Sequence, residues 1–342
     1  MRIGFDASPT RAGWASPGVE RATRGLLAAL RARSAECGIE WVALTPPAGS
    51  RPRTWRQWVV PKTVRREMLA GFHSMVSAVP LLGGFPVVQS VYELPWRHGV
   101  AEGSRATSRW WVRAGVRRAS AVLLPSERTA ADHLAQIGDR GLLRWVAEPG
   151  LGPALLAGEL APRPRNPVRL VMPGGARPKK NADLLVRALA RPGNADLELL
   201  ITGPKTPDTQ GIWQIARDLG VADRLLHREH VEPDGWQDEI DNCLAVCAIA
   251  DSEGYGFAPL EALARGRPAI VSRAVPSVRA AGGLVHAINA HSAVELDAAL
   301  ANCRQPSAGH ACAARAFAAQ HTTAHCAVSV ERLWLQLLGR RP

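Results

Sequence analysis

The sequence predicts an α/β protein with two parallel-sheet domains, on three observations. The chain has 342 residues, more than one hydrophobic core usually holds, so two domains of roughly 150 to 180 residues are expected. Apolar, strand-like runs alternate with helical patterns from end to end, which is typical of βαβ units. Between the two halves, residues 147–168 are rich in glycine and proline, as a linker is.

The elements follow in two series. In the first half we expect strands near 2–7, 40–45, 86–91, 121–125 and 143–147, and helices near 18–33, 104–118 and 127–137. In the second half we expect strands near 168–172, 197–202, 225–227, 245–250 and 268–272, and helices near 181–191, 209–219, 235–242 and 259–265. Each series describes one Rossmann-like domain, and the two domains are expected to face each other across a cleft.

The domain boundaries follow from these series. We predict a first domain over residues 1–165 and a second over residues 166–315. The amphipathic segment Ala311 to Leu338 has apolar residues at helical spacing. We therefore expect residues 316–342 to form a closing helix that packs back on the first domain.

Positive charge is concentrated in the first half. The formal net charge is +12, and residues 1–165 hold 23 Lys and Arg against 12 Asp and Glu, together with eight of the eleven tryptophans. Between Arg51 and Arg66 the cations alternate with Trp55 and Trp58, which suits an anionic membrane surface. The alternative is a solvated basic face. Nucleic-acid binding is disfavoured, because no helix-turn-helix, finger or RNP-like pattern accompanies the charge.

Targeting and metal signals are weak. No run of 18 apolar residues occurs, so no spanning helix is expected, and the strand-like first residues lack the apolar core of a signal peptide. Six scattered cysteines predict cytosolic thiols rather than disulfides. A group of His and Cys near the end has spacings that match no zinc module. We therefore expect a cytoplasmic protein, at the inner face of the membrane if the basic half binds lipid. The group of His and Cys near the end of the chain consists of His310, Cys312, His321, His325 and Cys326.

The clearest functional signal is a pair of carboxylates around a glycine-rich turn. Glu253 and Glu261 lie eight residues apart, and the turn between them opens a predicted helix. The apolar run before the turn, Leu244 to Ala250, is a predicted buried strand. The motif therefore lies at the carboxyl end of a parallel strand, where open α/β sheets bind ligands.

The turn itself suits a sugar nucleotide. Gly254 and Gly256 let the backbone come close to a ligand, and Pro259 fits the first turn of a helix. The amides of Phe257 and Ala258 are then expected to point at an anion. In this arrangement the second glutamate lies in the first helical turn and accepts from a ribose diol, while the first lies near a sugar hydroxyl or phosphate.

Four blocks of sequence together resemble glycosyltransferase family 4, the large retaining group with the GT-B fold. The resemblance runs nearly from end to end, and it implies a transferase that moves a sugar from a UDP- or GDP-sugar to a cell-envelope glycan or lipid-linked acceptor. It also implies that cations and helix-end amides replace a metal, so no cofactor is expected. The blocks are Met1–Ala7 with Gly18–Arg24, Arg118–Thr129, Pro178–Leu185, and Glu253–Glu261 with Gly266–Ser272.

The resemblance implies a role for individual residues. Lys180 would neutralise the donor diphosphate and act in catalysis with Glu253, which would lie near the donor sugar. Glu261 would bind the ribose hydroxyls, and Gly18 would let the first domain approach the phosphate and sugar. Further donor contacts are implied for Gly254, Gly256, Phe257, Ala258, Lys179 and Arg177, with His230 and Val231 around the base.

The sequence departs from the family at three places. Gly175 stands where the family usually has an arginine, and Arg177 or Lys179 are candidates to replace it. Tyr92 and Glu93 stand where a His-Asp pair is common. His98 is either a substitute for that missing histidine or simply a surface residue. At the third place, Arg279 replaces a glutamate that is common in the loop after Ser272. Transition-state stabilisation is then weaker, rearranged or tuned to an unusual donor.

Two other functions remain open. One is a GT-B relative that binds nucleotide or glycan without turnover, which Gly175 and Tyr92 favour. The other is an NADP-dependent dehydrogenase, because Gly254-x-Gly256 follows a strand and Arg273 ends the next one. Against the dehydrogenase, Pro259 stands where its third glycine would be.

Overall fold

The protein is described by a computed structural model that covers residues 1–11, 13–100, 105–164 and 168–339. They divide into two compact units, which are Met1–Gly152 with the chain from His321 onward, and Pro153–Gln320. Each unit contains one six-stranded parallel sheet with helices, so the predicted α/β class is confirmed. The units divide after residues 152 and 320, whereas the predicted domain boundaries fall after residues 165 and 315.

The first unit has the strand order β2-β1-β3-β4-β5-β6. Its strands are β1 Arg2–Asp6, β2 Glu40–Leu44, β3 Phe72–Ser74, β4 Val87–Ser90, β5 Ala121–Leu124 and β6 Leu143–Val146. Its helices are α1 Pro17–Ala32, α2 Ser34–Cys37, α3 Pro52–Thr54, α4 Val60–Arg66, α5 Arg105–Arg118 and α6 Glu127–Ile137, with a π-helical turn at Trp55–Val59. The prediction missed β3 and the helical segment between β2 and β3. Two prolines and a π turn obscure the helical periodicity there.

The second unit has the strand order β12-β11-β10-β7-β8-β9. Its strands are β7 Arg169–Pro173, β8 Glu198–Thr202, β9 Leu225–Arg228, β10 Ala245–Ala248, β11 Ala269–Ser272 and β12 His286–Ile288. Its helices are α7 Pro153–Leu156, α8 Ala182–Leu189, α9 Thr209–Asp218, α10 Pro233–Asp241, α11 Phe257–Ala264, α12 Ala293–Arg304 and α13 His310–Ala318. β7 and β10 are direct neighbours, with Leu170 aligned to Ala245. Their carboxyl ends therefore emerge side by side.

The last amphipathic segment is two helices rather than one. α13 ends at Ala318, and α14, Thr323–Leu337, starts after Thr322, whose hydroxyl accepts from the amide of His325. This N-cap satisfies an amide that a continuous helix would have bonded internally, so it sets a new helix start. α14 belongs to the first unit, where Trp334 is fully buried and its indole nitrogen donates to Nδ1 of His73 at 3.1 Å.

Each unit buries its own apolar core between sheet and helices. In the first unit Phe5, Trp41 and Trp334 pack together with the strand residues of β4 and β5. In the second unit the core joins β7, β8 and β10 to the apolar faces of α8 and α12. No helix of the described residues is long and apolar enough to cross a membrane.

Candidate functional site

The loop after β7 is held against the ends of its two neighbouring strands. The amides of Gly174 and Gly175 both donate to the carbonyl of Thr202 at the end of β8, at 2.7 and 2.8 Å. On the β10 side, the amide of Asp251 donates to the carbonyl of Lys179 at 2.9 Å. Asn181 adopts a left-handed conformation, and its side-chain nitrogen donates to Oδ1 of Asp251 at 3.0 Å. The loop therefore has a fixed path along the carboxyl edge of the sheet.

Three cations of this loop surround one carboxylate. Nζ of Lys180 lies 2.6 Å from Oε2 of Glu253, and the side chain of each is at least four-fifths buried. Lys179 is buried, and Arg177 folds back so that its Nε donates to the carbonyl of Gly174 at 3.0 Å. We call Arg177, Lys179, Lys180 and Glu253 the cation cluster. It carries three positive charges and one negative charge.

The cation cluster keeps Glu253 ionised. Burial raises the pKa of this carboxyl group, but the charges of Lys180 and Lys179, the hydrogen bond from Lys180 and the charge of Arg177 lower it, and the net result is a pKa below its usual value. Because the charges around this carboxyl group lower its pKa, its surroundings favour an anion. The structure thus brings both predicted catalytic residues, Glu253 and Lys180, into one contact.

The turn after Glu253 requires glycine at Gly256. Its φ is +93°, and a Cβ there would lie 2.5 Å from Cγ1 of Val275. The short 3₁₀ turn Pro276–Val278 braces it, since the Ser277 hydroxyl donates to the Gly256 carbonyl and the Ser277 amide donates to the carbonyl of Tyr255 at 2.9 Å. Gly254 is buried in the same turn. α11 starts directly afterwards, so the amides of Phe257 and Ala258 lie at its amino end.

Glu261 is placed differently from the prediction. α11 begins at Phe257, two residues earlier than expected, so Pro259 is its third residue and Glu261 lies in its second turn rather than its first. The carboxylate is 1% exposed, and its Oε2 accepts a hydrogen bond from Nε1 of Trp236 at 2.8 Å.

His230 and Val231 lie apart from the cation cluster, within the same unit. His230 and Val231 follow β9, which is two strands from β7 and so about 10 Å away across the sheet. His230 is exposed and pairs with Glu232 at 2.9 Å, whereas Val231 is half-buried. Gly18 belongs to the first unit and is the second residue of α1, not part of a loop. A Cβ on it would meet no heavy atom within 4 Å, so packing inside that unit does not require glycine.

The missing arginine has a steric cause. Gly175 has a φ of +75°, and a Cβ on it would lie 2.7 Å from the carbonyl oxygen of Pro204. An arginine is therefore incompatible with this loop path. A guanidinium nitrogen of Arg177 instead lies beside Gly174, 3.4 Å from the position that a Cβ on this glycine would take. The side chain of Lys180 lies next to the same position.

The region of the missing histidine is occupied by packing contacts. Tyr92 packs against the core of the first unit, and its carbonyl accepts from the hydroxyl of Thr129 at 3.4 Å. His98 is not a plain surface residue, because its Nε2 lies 2.7 Å from Oδ2 of Asp132 on α6. Arg279, the third departure, is exposed.

The His and Cys residues near the end are separated between the units. His310 and Cys312 lie on α13 of the second unit, whereas His325 and Cys326 lie on α14 of the first. Within the described residues, no group of three or more His, Cys, Asp or Glu is arranged to hold a metal ion.

Sequence reasoning did not assign Trp236 or Ser277 to the site. Ser277 was hidden because its contacts are with backbone atoms of the turn. Trp236 left a weak signal, as the one aromatic residue in the otherwise polar helix α10, Pro233–Asp241. Its partner Glu261 is 25 residues away in sequence, so the pairing depends on the fold.

Comparisons with known proteins found one matching family model and several similar solved structures. Residues 161–281, which contain the cation cluster and the glycine turn, match the family model described as glycosyl transferases group 1. No curated protein matches the chain in sequence. Among solved structures, Anabaena HepE in complex with UDP and glucose shares 16% identity, with 98% of this chain and 100% of that chain covered and a TM-score of 0.73.

Two further solved structures are similar over nearly their whole length. Sucrose-phosphate synthase from Thermosynechococcus elongatus is 16% identical, with 99% of each chain covered and a TM-score of 0.76. WaaG, a glycosyltransferase involved in lipopolysaccharide biosynthesis, is 14% identical, with 97% and 99% covered and a TM-score of 0.72. At such low identity these likenesses establish the fold alone. The chain thus has the GT-B fold, and its second unit carries the sequence features of the group 1 glycosyl transferases.

Proposed function

We propose that the chain is a retaining, metal-independent glycosyltransferase of family 4. It moves a sugar from a UDP- or GDP-sugar to a cell-envelope glycan or a lipid-linked acceptor. The observation that carries the proposal is the cation cluster, in which Lys180 contacts Glu253 and the charges of Lys180, Lys179 and Arg177 lower the pKa of that carboxyl group. Breaking the bond between sugar and diphosphate puts negative charge on the leaving group, and fixed cations stabilise that charge where it develops.

The remaining contacts are assigned by position around the cluster. Lys180 neutralises the diphosphate, Glu253 orients the donor sugar, and Glu261 accepts the ribose hydroxyls. The start of α11 adds backbone amides to the phosphate contacts. The further donor-binding residues are Gly254, Gly256, Phe257, Ala258, Lys179 and Arg177, with His230 and Val231 at the base. The likeness to HepE, which was solved with UDP and glucose, supports a nucleotide-sugar donor.

A thermal shift panel tests donor binding. UDP, GDP, ADP and NADP are compared, and a ligand at a hundred times its dissociation constant adds about 2.7 kcal/mol of stability. We expect UDP or GDP to stabilise the protein and Lys180→Met to abolish the effect. Lys62→Met, an exposed lysine of α4 in the other unit, is the matched control and keeps it. Stabilisation by NADP alone would sink the proposal.

A dehydrogenase has less support. Arg273, the candidate for a 2′-phosphate, donates to Oε2 of Glu295 at 2.8 Å and so already has a carboxylate partner. The glycine pattern at Gly254 and Gly256 ends in Pro259 rather than a third glycine.

The second candidate is a GT-B relative that binds nucleotide without turnover. Its specific support is the absence of two groups that the family usually has, the arginine at Gly175 and the histidine at Tyr92. Transfer or hydrolysis measured on a panel of sugar nucleotides separates the candidates. Turnover that Lys180→Met and Glu261→Ala both eliminate supports the transferase, and nucleotide binding without any turnover supports the alternative.

Contact with an anionic membrane is proposed on a narrower surface than the sequence indicated. Trp55 is 2% exposed in a core cluster, and buried Arg56 pairs with Asp6, so neither can touch lipid. Trp58 and Trp110 remain, at 59% and 53% exposed. Around them lies an exposed set of cations and apolar side chains that we call the basic face: Trp58, Lys62, Arg65, Arg66 and Met68 near α4, and Arg109, Trp110, Arg113 and Arg117 on α5.

Topology supports treating the basic face as one surface. α4 connects β2 to β3 and α5 connects β4 to β5, and both connections cross the sheet in the same direction. Right-handed crossovers then put both helices on the same side of the sheet. The loop between β3 and β4 joins them, because Gln57 donates to the carbonyl of Val79 and Gln89 donates to the carbonyls of Ser77 and Trp111.

Flotation with liposomes tests whether the basic face binds an anionic membrane. The proposed location of the protein is the cytoplasmic side of that membrane. Each cation near an anionic bilayer contributes about 1 kcal/mol. Replacing Lys62, Arg65, Arg113 and Arg117 together by Gln should therefore weaken binding on the order of 10²-fold or more. Val294→Ser, which removes an exposed apolar side chain of the second unit, is the control. Absence of wild-type binding at both low and high salt would end this part of the proposal.

A further inference from the structure

A side chain from a different helix donates a hydrogen bond to the carboxylate of Glu261. Nε1 of Trp236, on α10, donates to its Oε2 at 2.8 Å, and both side chains are buried. An indole has a single polar hydrogen, and here it is directed at the carboxylate. A buried charged acceptor depends strongly on such donors. Trp236 therefore sets the orientation of the Glu261 carboxylate.

α10 is itself held in place by ion pairs. Glu239, three residues after Trp236 and buried, lies 2.9 Å from Nη1 of Arg169 on β7 and also pairs with Arg228 on β9. The helix is thus tied to the central strand β7 and to the edge strand β9. A donor on such a fixed element holds its acceptor with little freedom, which is what a positioning residue requires.

The same helix begins next to the loop assigned to the base. Val231 lies in that loop, and its Cγ1 would be 3.5 Å from a Cβ on Gly235, the neighbour of Trp236. The first turn of α10 therefore packs on this loop. Trp236, the residue after Gly235, contacts Glu261. This links two parts of the donor site that are far apart in sequence.

We propose that Trp236 is a positioning residue of the donor site, which fixes the Glu261 carboxylate in the orientation that accepts the ribose hydroxyls. This inference rests on the proposed function. Trp236 acts through Glu261 and does not itself carry out chemistry. Its effect is confined to ligands that have the ribose diol, because the diphosphate is bound by the cation cluster.

The test compares three ligands on wild type and Trp236→Phe, which keeps an aromatic ring but removes the N–H. The ligands are UDP or GDP, whichever stabilises the wild-type protein, its 2′,3′-dideoxy counterpart, and inorganic pyrophosphate. We expect Trp236→Phe to weaken the intact nucleotide about tenfold, and to change the binding of the other two by less than twofold. In kinetics, KM for the donor rises about tenfold while kcat stays within twofold.

Two further variants keep the test decisive. Trp236→His restores a ring N–H and is expected to return nucleotide affinity to within threefold of wild type. Trp213→Phe, on α9 and with its ring 5.8 Å from that of His227, is the matched tryptophan control and leaves all three affinities unchanged. Loss of the Trp236 effect in a Glu261→Gln background completes the cycle.

The contrary outcomes are distinct. Equal weakening of all three ligands by Trp236→Phe, with a lower melting temperature and no rescue by histidine, assigns Trp236 a purely structural role and overturns the inference alone. A wild-type protein that binds pyrophosphate but neither nucleotide overturns the proposed function as well.

Discussion

The charged side chains at the carboxyl edges of the two sheets are arranged differently. In the first unit, Asp6 at the end of β1 is fully buried, accepts from the amide of Ser8 at 3.0 Å and pairs with Arg56 at 3.3 Å. Arg56 also donates to the Ser8 hydroxyl at 2.7 Å, so one cation meets one anion. In the second unit, three cations surround Glu253. Two parallel sheets of the same strand number therefore carry a buried ion pair at one edge and a group of cations around a carboxylate at the other.

This difference separates structural charges from functional ones. A buried pair with matched charges contributes to the fold, and its loss is costly mainly because one charge is left alone. A group of cations around a carboxylate lowers the pKa of that carboxyl group and so favours an anion at that position. Because both edges occur on the same kind of sheet, function must be argued from the charges at the site rather than from the fold.

The largest expected effect breaks the buried ion pair. Arg56→Met leaves Asp6 buried and unpaired, which should lower the free energy of unfolding by about 3–5 kcal/mol. Denaturant unfolding measures it, with exposed Arg53→Met as a control that changes stability by less than about 0.5 kcal/mol. Nucleotide affinity of the folded variant should remain that of wild type. A stable Arg56→Met variant would show that the pair is not structural.

The second effect concerns the cation cluster. Glu253→Gln removes one negative charge from the cluster, so affinity for UDP or GDP should rise while kcat falls about 10²-fold, because the donor sugar loses its orienting group. Equilibrium binding and steady-state transfer measure the two changes. Glu295→Gln, which removes the partner of Arg273 elsewhere in the second unit, is the control and alters neither. A loss of nucleotide affinity in Glu253→Gln would contradict this effect of the removed charge.

Most strands of the second unit could be predicted from the sequence. The difference between the charged groups at the two sheet edges could not. The strands of the second unit carry short apolar runs, so five of them were placed within a few residues. β12, only three residues long, was missed because so short a run has no periodicity. Arg56 looked like one more cation on a basic surface, since its partner Asp6 is 50 residues away. Pairings of this kind arise from tertiary structure and leave no local pattern.

The third effect is a loss of stability of the first unit at low pH. Burial lowers the pKa of His73 in the first unit from 6.5 to about 3, and burial with the charge of Arg144 lowers that of His133 to about 4. Below pH 6.5 the unfolded chain therefore binds protons that the folded unit does not, so stability falls as pH falls. Between pH 7 and 5 each histidine should cost about 2 kcal/mol.

Denaturant unfolding at both pH values measures this loss, and His73→Gln should reduce the difference by about 2 kcal/mol. Glu253 provides the contrast, because its pKa is lowered from 4.5. The stability that it contributes is fully present above that value and is lost only as the pH falls through its folded pKa. A wild-type stability that is constant from pH 7 to 5 would contradict buried, neutral histidines in the first unit.

The smallest effect compares one glycine from each unit. Gly38 and Gly175 both have left-handed φ, at +66° and +75°, but an added Cβ meets nothing within 4 Å at Gly38 and lies 2.7 Å from the Pro204 oxygen at Gly175. Gly38→Ala should cost about 1 kcal/mol from backbone strain alone, and Gly175→Ala about 2 kcal/mol or more. Because the loop after Gly175 carries Arg177 and Lys180, only Gly175→Ala should also weaken nucleotide binding. Equal costs for the two variants, with unchanged binding, would mean that the loop can move away from Pro204 and that its path does not exclude an arginine.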